Sequence, residues 1–367
     1  MARRAGTYPG ISPVRVESPS AIAIPTCDMP TAAASIDAKV EFLRRPETYP
    51  IAPDRVEVIE THMSWVFLAG DLVYKLKKPV RYEFLDFSTS EARRRNCEEE
   101  VRLNRRLAPD VYLAVVPLVL AGGATLRLGG DGEPVDWLVQ MRRLPERLML
   151  DHAIRAGTAT ASDARRCALT LATFYRSCTP VPMTPWRYRQ RFADGVRAAY
   201  RELGASEYGL SSEVLRVVSS SQLAFLERSV GLFDQRVSER RIVEGHGDLR
   251  PEHVCLADPP LFIDCLEFNR EWRLIDPADE LAYLALECEH ADAAFIGEAV
   301  LAAYRDETGD TAPEPLVRFY KSYRAGVRAK LSAWHLQDHV AEADRRKWKE
   351  RARLYLDRAH HYGVSLQ

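Results

Sequence analysis

The chain has 367 residues, 46% of them hydrophobic and 28% charged, and a formal net charge of -1. That length supports two core-forming lobes, and the near-neutral balance gives no electrostatic footprint for nucleic acid or an anionic membrane surface. No apolar run approaches the roughly 20 residues of a membrane-spanning helix, and no apolar stretch follows the opening Met-Ala-Arg-Arg as a secretion signal would require. The seven cysteines (Cys27, Cys97, Cys167, Cys178, Cys255, Cys265, Cys288) are scattered and form no Cys-x-x-Cys pair. Reduced cytoplasmic thiols fit that pattern better than a disulfide frame or a zinc site.

Residues 1–34 are rich in Pro, Ala, Ser and Thr without sustained periodicity, which predicts a disordered leader or loosely packed arm. A short helix is expected over Ile36–Arg45, with Ser35 available as its N-cap. Val56–Ile59, Trp65–Leu68 and Leu72–Leu76 read as strands, the last two joined by a tight turn at Ala69-Gly70-Asp71. A helix follows over Ser90–Leu107, where Ser88 and Glu91 have capping-box spacing. Tyr112–Leu120 and Trp137–Met141 then read as two strands around a glycine-rich turn. Three strands, a helix and two strands make a small α/β lobe over residues 35–144.

Residues 145–367 are mainly helical in pattern. Helices are predicted over Ser162–Ser177, Trp186–Leu203 and Ser212–Arg236. Beyond two short apolar strands, helices follow near Asp279–Glu289, Ala291–Arg305, Glu314–Trp334 and Val340–His361. Leu316, Tyr320, Tyr323, Val327, Leu331 and Trp334 are expected to form a buried stripe at helical spacing. Lys321, Arg324 and Arg328 repeat on the other side, where a solvent-facing basic row is expected.

The chemistry concentrates in Val243–Phe268, where His246-Gly247-Asp248-Leu249 and Leu261-Phe262-Ile263-Asp264 each place a carboxylate beside an apolar, strand-like run. Alone, Asp248 reads better as the cap of a turn, whereas for Asp264 a cap is the lesser reading. Together they suit phosphoryl transfer: Asp248 to orient and deprotonate a hydroxyl, Asp264 to carry magnesium alongside phosphate oxygens. Lys75 and Lys77 fall on one face of a strand, because side chains repeat every two residues. A lysine there can reach nucleotide phosphates when a helix glutamate fixes it. Glu98, Glu99 and Glu100 offer that glutamate, and at least two of the three must simply face solvent.

His246-Gly247-Asp248-Leu249, Ile263-Asp264 and Asp276-Pro277-Ala278-Asp279-Glu280-Leu281-Ala282 together resemble the aminoglycoside phosphotransferase family. The segments Thr61–Trp65, Val73–Pro79 and Glu98–Leu107 also resemble an uncharacterised bacterial branch of that family. The resemblance spans roughly residues 36–335. It implies an α+β, two-lobed protein-kinase-like fold, with a small antiparallel-sheet N-lobe carrying one helix and a larger, mainly helical C-lobe. It implies Asp248 as catalytic base, Asp264 as magnesium ligand, Lys75 on the nucleotide phosphates and Glu100 as its partner. Gln140-Met141-Arg142-Arg143 would be the hinge facing adenine.

Three departures stand out. His253 occupies the place of a metal-binding Asn, and imidazole is a poorer magnesium ligand than an oxygen donor. Glu280 replaces an Asp and is one methylene longer. The turn Glu60–Trp65 has no glycine, so Ser64 and nearby amides would have to cover the phosphates.

No G-x-x-x-x-G-K-[ST] is present, which excludes a P-loop enzyme, and the H-R-D, D-F-G and A-P-E segments of protein kinases are missing. The expectation is an ATP- and Mg2+-dependent phosphotransferase of the cytoplasm acting on a hydroxyl of a small molecule, with no nucleic-acid or membrane partner. The alternative is a nucleotide-binding pseudokinase that regulates or scaffolds a partner.

Overall fold

The computed structural model describes residues 35–82, 84–122, 125–336 and 342–366; the expected leader, 1–34, lies outside them. The described residues form two compact units. One is 35–145 together with Ile263–Asn269; the other is Glu146–Phe262 together with 270–366.

The first unit runs α1 (Ile36–Leu43), β1 (Val56–Glu60), β2 (Ser64–Ala69), β3 (Leu72–Lys77), β4 (Arg81–Tyr82), β5 (Leu85–Asp86), α2 (Ser90–Asn104), β6 (Tyr112–Ala121), β7 (Thr125–Leu128) and β8 (Glu133–Arg142). Its antiparallel sheet has the order β1-β2-β3-β8-β6-β7. The turn between β2 and β3 falls at Gly70, whose φ of 63° suits a residue without Cβ. Strand alternation separates two chemistries on β3. Tyr74 and Leu76 join Val40, Leu43, Phe67, Leu118 and Leu138 in one apolar cluster, each large side chain contributing about 1.5–3 kcal/mol on burial. Lys75 and Lys77 point the other way, toward α2, as the period of two requires. Both helices are tied to β8 through the fully buried Asp136, which accepts from Lys39 of α1 and from both forks of Arg93 of α2.

Helix starts show how locally the caps are written. Ser35 caps α1 as expected, accepting from the Ala38 N–H. For α2 the cap is Thr89, which accepts from the Ala92 N–H, while Ser88 turns to Asp86 and Glu91 pairs with Arg94 and Arg95. The predicted Ser88–Glu91 box is one residue early, because the run Ser88-Thr89-Ser90 offers adjacent hydroxyls of equal capping chemistry.

The second unit contains α3 (Leu150–Arg155), α4 (Ala161–Ser177), α5 (Pro185–Leu203), α6 (Ser212–Arg228), α7 (Val230–Ser238), α8 (Pro277–His290), α9 (Ala294–Thr308), α10 (Glu314–Trp334) and α11 (Glu342–Val364). The predicted helix Ser212–Arg236 breaks at Ser229 into α6 and α7. Two short antiparallel pairs interrupt the helices: β9 (Val243–Glu244) with β12 (Leu274–Ile275), and β10 (Val254–Cys255) with β11 (Leu261–Phe262). An aromatic cluster of Tyr188, Phe192, Phe225, Phe233, Phe319 and Tyr320 packs α5, α6, α7 and α10 together. Beside it the buried Arg236 forks onto Asp276, the N-cap of α8, and onto Asp310.

The basic row of α10 is not solvent-facing. Lys321 and Arg328 are buried, and the three cations pair with acids of α8: Lys321 with Glu289, Arg324 with Asp279 and Arg328 with Glu287. Charges of one helix were thus matched by those of another distant in sequence, as burial demands.

One unit is a small antiparallel sheet with a lysine strand and a glutamate helix and the other is mainly helical, the parts that the family resemblance implied. Among the described residues, no helix is long and apolar enough to cross a membrane, and cysteines 97, 167, 178, 255, 265 and 288 are free thiols.

Candidate active site

In the first unit the expected lysine and acids meet. Lys75 Nζ lies 2.8 Å from Glu100 Oε1 and 2.9 Å from Asp264 Oδ1. Lys77 Nζ lies 2.5 Å from the other oxygen of Glu100 and 2.6 Å from Glu267. Glu100 is fully buried, whereas Glu98 and Glu99 pair with Arg94 and Arg102 on the outer face of α2. Burial alone would lower the Lys75 pKa, but the carboxylates of Asp264, Glu100 and Glu267 more than reverse this and hold it well above the ordinary value. Burial likewise opposes ionisation of Glu100, and the two lysines overcome it and keep its pKa below the ordinary value.

Asp264 differs in setting from the sequence reading, which placed it in the helical lobe at a strand end. β11 ends at Phe262, and Ile263–Asn269 belongs to the first unit. Two bonds explain this: the Asp264 N–H donates to the Tyr112 hydroxyl, and the Cys265 N–H donates to Asn104 Oδ1 at the end of α2. Asp264 has a φ of 59°, a left-handed conformation that Asp tolerates better than most residues. Its side chain keeps 44% of its exposure.

In the second unit Asp248 follows Gly247, whose φ of 87° bends the chain as the Gly implied. Its carboxylate receives the Tyr283 hydroxyl on Oδ1 at 3.1 Å and Arg250 Nε at 3.1–3.2 Å. Burial would raise its pKa, but the neighbouring positive charge, Arg250 first, holds it below the ordinary value. With the side chain 30% exposed, lone pairs remain for an incoming hydroxyl.

The loop that carries Asp248 hangs on Glu280. This buried carboxylate accepts from the N–H groups of His246 at 3.1 Å and Gly247 at 2.5 Å, and from the Tyr175 hydroxyl at 2.6 Å. The extra methylene therefore brings the acid against the loop, and Gly245 makes room for it: a Cβ there would sit 2.8 Å from Glu280 Oε2. Sequence reasoning noted Glu280 only as a substitution, and it missed Tyr283 and Arg250 as partners of Asp248. For Arg250 the signal was its place two residues after Asp248; for Tyr283 none was visible.

Two expected site residues are committed elsewhere. Ser64 is buried, and its N–H is spent on Thr61 Oγ1 inside the β1–β2 turn, so that amide is not a phosphate donor. Met141 lies inside β8, with Val73 of β3 on one side and Tyr112 of β6 on the other. The amides of Arg142 and Arg143 donate to Val111 and Asp71. Met141 and Arg142 thus belong to the sheet, and the Arg143 amide is also spent, because β8 pairs on both sides.

The residues fit magnesium at one of the two expected positions. Asp264 is a carboxylate beside the Lys75 ammonium, and magnesium commonly takes one or two carboxylates with phosphate oxygens filling the rest. His253 does not fit. Its Nδ1 lies 2.8 Å from the Asp248 carbonyl oxygen and its Nε2 lies 3.1 Å from Arg250 Nη2. Among the described residues there is no group of three or more His, Cys, Asp or Glu placed to hold a metal.

Fold and site thus define a protein of kinase-like architecture with an ordered lysine–glutamate–aspartate cluster and a separately held aspartate. No protein-family model matches the chain. It is 33% identical over 304 residues to uncharacterised proteins of Mycobacterium tuberculosis and Mycobacterium bovis, with 81% of this chain covered. The chain spans 59% of the length of these curated relatives. Among solved structures, it is similar to a choline/ethanolamine kinase family protein from Mesorhizobium loti, at 15% identity and a TM-score of 0.46, covering 89% of this chain and 99% of that one. Choline kinase from Streptococcus pneumoniae is 14% identical with a TM-score of 0.46, covering 82% of this chain and 94% of that one. An aminoglycoside phosphotransferase from Streptomyces rimosus, solved with ADP and streptomycin, is 18% identical with a TM-score of 0.40, covering 72% and 90%. Likenesses this distant leave the activity to rest on the chain's own residues.

Proposed function

We propose that this protein is an ATP- and magnesium-dependent phosphotransferase that acts on a hydroxyl of a small molecule. The observation that carries the reading is the pairing of the fully buried Glu100 with Lys75, which at the same time holds Asp264. A buried carboxylate is costly unless paired. Lys75 and Lys77 converge on it, and Lys75 also meets Asp264, so the Lys75 ammonium is fixed beside a carboxylate that could carry magnesium, the pairing that nucleotide phosphates require.

Lys75, aimed by Glu100, binds and orients the phosphates of ATP. Magnesium bound at Asp264 supplies further positive charge against those phosphates. Lys77 neutralises the second oxygen of Glu100 and secures Glu267, so Glu100 keeps its aim. Asp248 orients the acceptor hydroxyl and takes its proton as the oxygen bonds to the γ-phosphorus and ADP leaves with the electrons of the broken P–O bond. Catalysis on this reading is mainly positioning and electrostatics.

Thermal shift of the full chain with ATP, with and without Mg2+, tests the nucleotide part. At a ligand concentration of about 100 Kd, binding adds about 2.7 kcal/mol. The wild type is expected to be stabilised in a Mg2+-dependent way and Lys75→Met much less; equal stabilisation of the two would contradict the assignment of Lys75. A second reading, the nucleotide-binding pseudokinase, is favoured by the engagement of both His253 ring nitrogens, which leaves one metal position unfilled. Mg2+-dependent stabilisation without ADP formation against any of a panel of hydroxylated metabolites would support it.

A further inference from the structure

We infer that this protein uses a single divalent ion, with the Arg250 guanidinium fixed by His253 as the positive charge where a second ion would otherwise be needed; the inference rests on the phosphotransferase reading above. The ring of His253 settles its own protonation. A carbonyl oxygen only accepts, so the 2.8 Å contact with the Asp248 carbonyl requires a proton on Nδ1. A guanidinium only donates, so the 3.1 Å contact with Arg250 Nη2 requires the lone pair of Nε2. The imidazole is therefore the neutral Nδ1–H form, and the one lone pair through which it could ligate a metal is occupied by a cation. A divalent ion at Nε2 would have to displace that hydrogen bond and sit beside a guanidinium that is never deprotonated.

Arg250 is held by two further partners. Its Nε reaches the Asp248 carboxylate and its Nη1 lies 2.6 Å from Glu252, while its side chain is only 16% exposed. Glu252 is held at a pKa of about 2: burial opposes its ionisation, and Arg250 is the main charge that overcomes it. A buried, immobile guanidinium beside the base is a fixed positive charge that costs no reorganisation when negative charge develops on a transferring phosphoryl group. His253 acts through Arg250 and is a positioning residue, not a ligand.

Histidine-ring 15N NMR on the full chain, with the His253 signal assigned by its loss in His253→Asn, tests the ring directly. The expected spectrum shows an Nδ1-protonated, Nε2-unprotonated ring whose Nε2 resonance stays in place when Mg2+ and a non-hydrolysable ATP analogue are added. An Nε2–H tautomer, or an Nε2 resonance that moves with Mg2+ and returns with chelator, would overturn the inference. Native mass spectrometry with Mn2+ and the same analogue counts the ions. One Mn2+ per chain is expected in the wild type and in His253→Ala alike, whereas two in the wild type and one in the variant would make His253 a ligand. A chain that takes up neither analogue nor Mn2+ overturns the phosphotransferase reading and with it the single-ion count, while the tautomer still decides whether His253 can be a ligand.

Discussion

The ionisation of Asp248, the proposed base, is set by its neighbours more than by its own type. Asp248 is partly sheltered, which by itself would favour the protonated acid, yet Arg250 reverses the balance and holds its pKa below the ordinary value. The sign of the consequence follows. A carboxylate with a depressed pKa stays ionised as pH falls, so activity that depends on the Asp248 carboxylate is lost only as pH drops below the usual aspartate value of about 3.9. Replacing Arg250 by Met removes the largest favourable charge, so the acid limb of the pH–rate profile should move upward in the variant. A wild-type limb near about pH 6, or one that does not move in Arg250→Met, would contradict this account of the base.

At the scale of elements, the loop before Asp248 and the start of α8 are joined by buried polar contacts that stability measurements can reach. Arg236→Met leaves the buried carboxylates of Asp276 and Asp310 without their cation and should cost about 3–5 kcal/mol in urea denaturation. A loss below about 1 kcal/mol, the size of an exposed pair, would show that the fork is not structural. Gly245→Ala places a Cβ 2.5 Å from the Ile275 side chain and 2.8 Å from Glu280. It should cost about 1–3 kcal/mol and lower turnover by loosening the His246 and Gly247 N–H bonds; wild-type stability and turnover would refute the role given to Glu280.

These same elements show what was legible beforehand. The sheet strands and α2 follow from local patterns: period-two alternation on β3 put Lys75 and Lys77 on one face, and period 3.6 placed the helices. The partners of charged residues did not follow, because they come from distant segments. Lys321, Arg324 and Arg328 looked solvated until α8 supplied Glu289, Asp279 and Glu287. Strand pairing was equally hidden, and having β3 on one side of β8 and β6 on the other is what takes Met141 out of the expected hinge. His253 was recognised as unusual by type, but its engagement by Arg250 depends on ring geometry that no spacing encodes.

For the whole molecule, the lysine–glutamate–aspartate cluster belongs to one unit and Asp248, the proposed base, to the other. Each cluster is ordered by its own unit: Glu100 by α2 under the sheet, Asp248 by a loop hung on Glu280. Removing one function should therefore leave the other standing. The most direct measurement is Mg2+-dependent ADP formation by wild type and Asp248→Ala at matched ATP saturation, with the panel of hydroxylated acceptors present. The account predicts unchanged stabilisation by Mg2+-ATP in the variant and a loss of transfer of about a hundredfold or more, the usual scale for a general base. Full turnover in Asp248→Ala would contradict it.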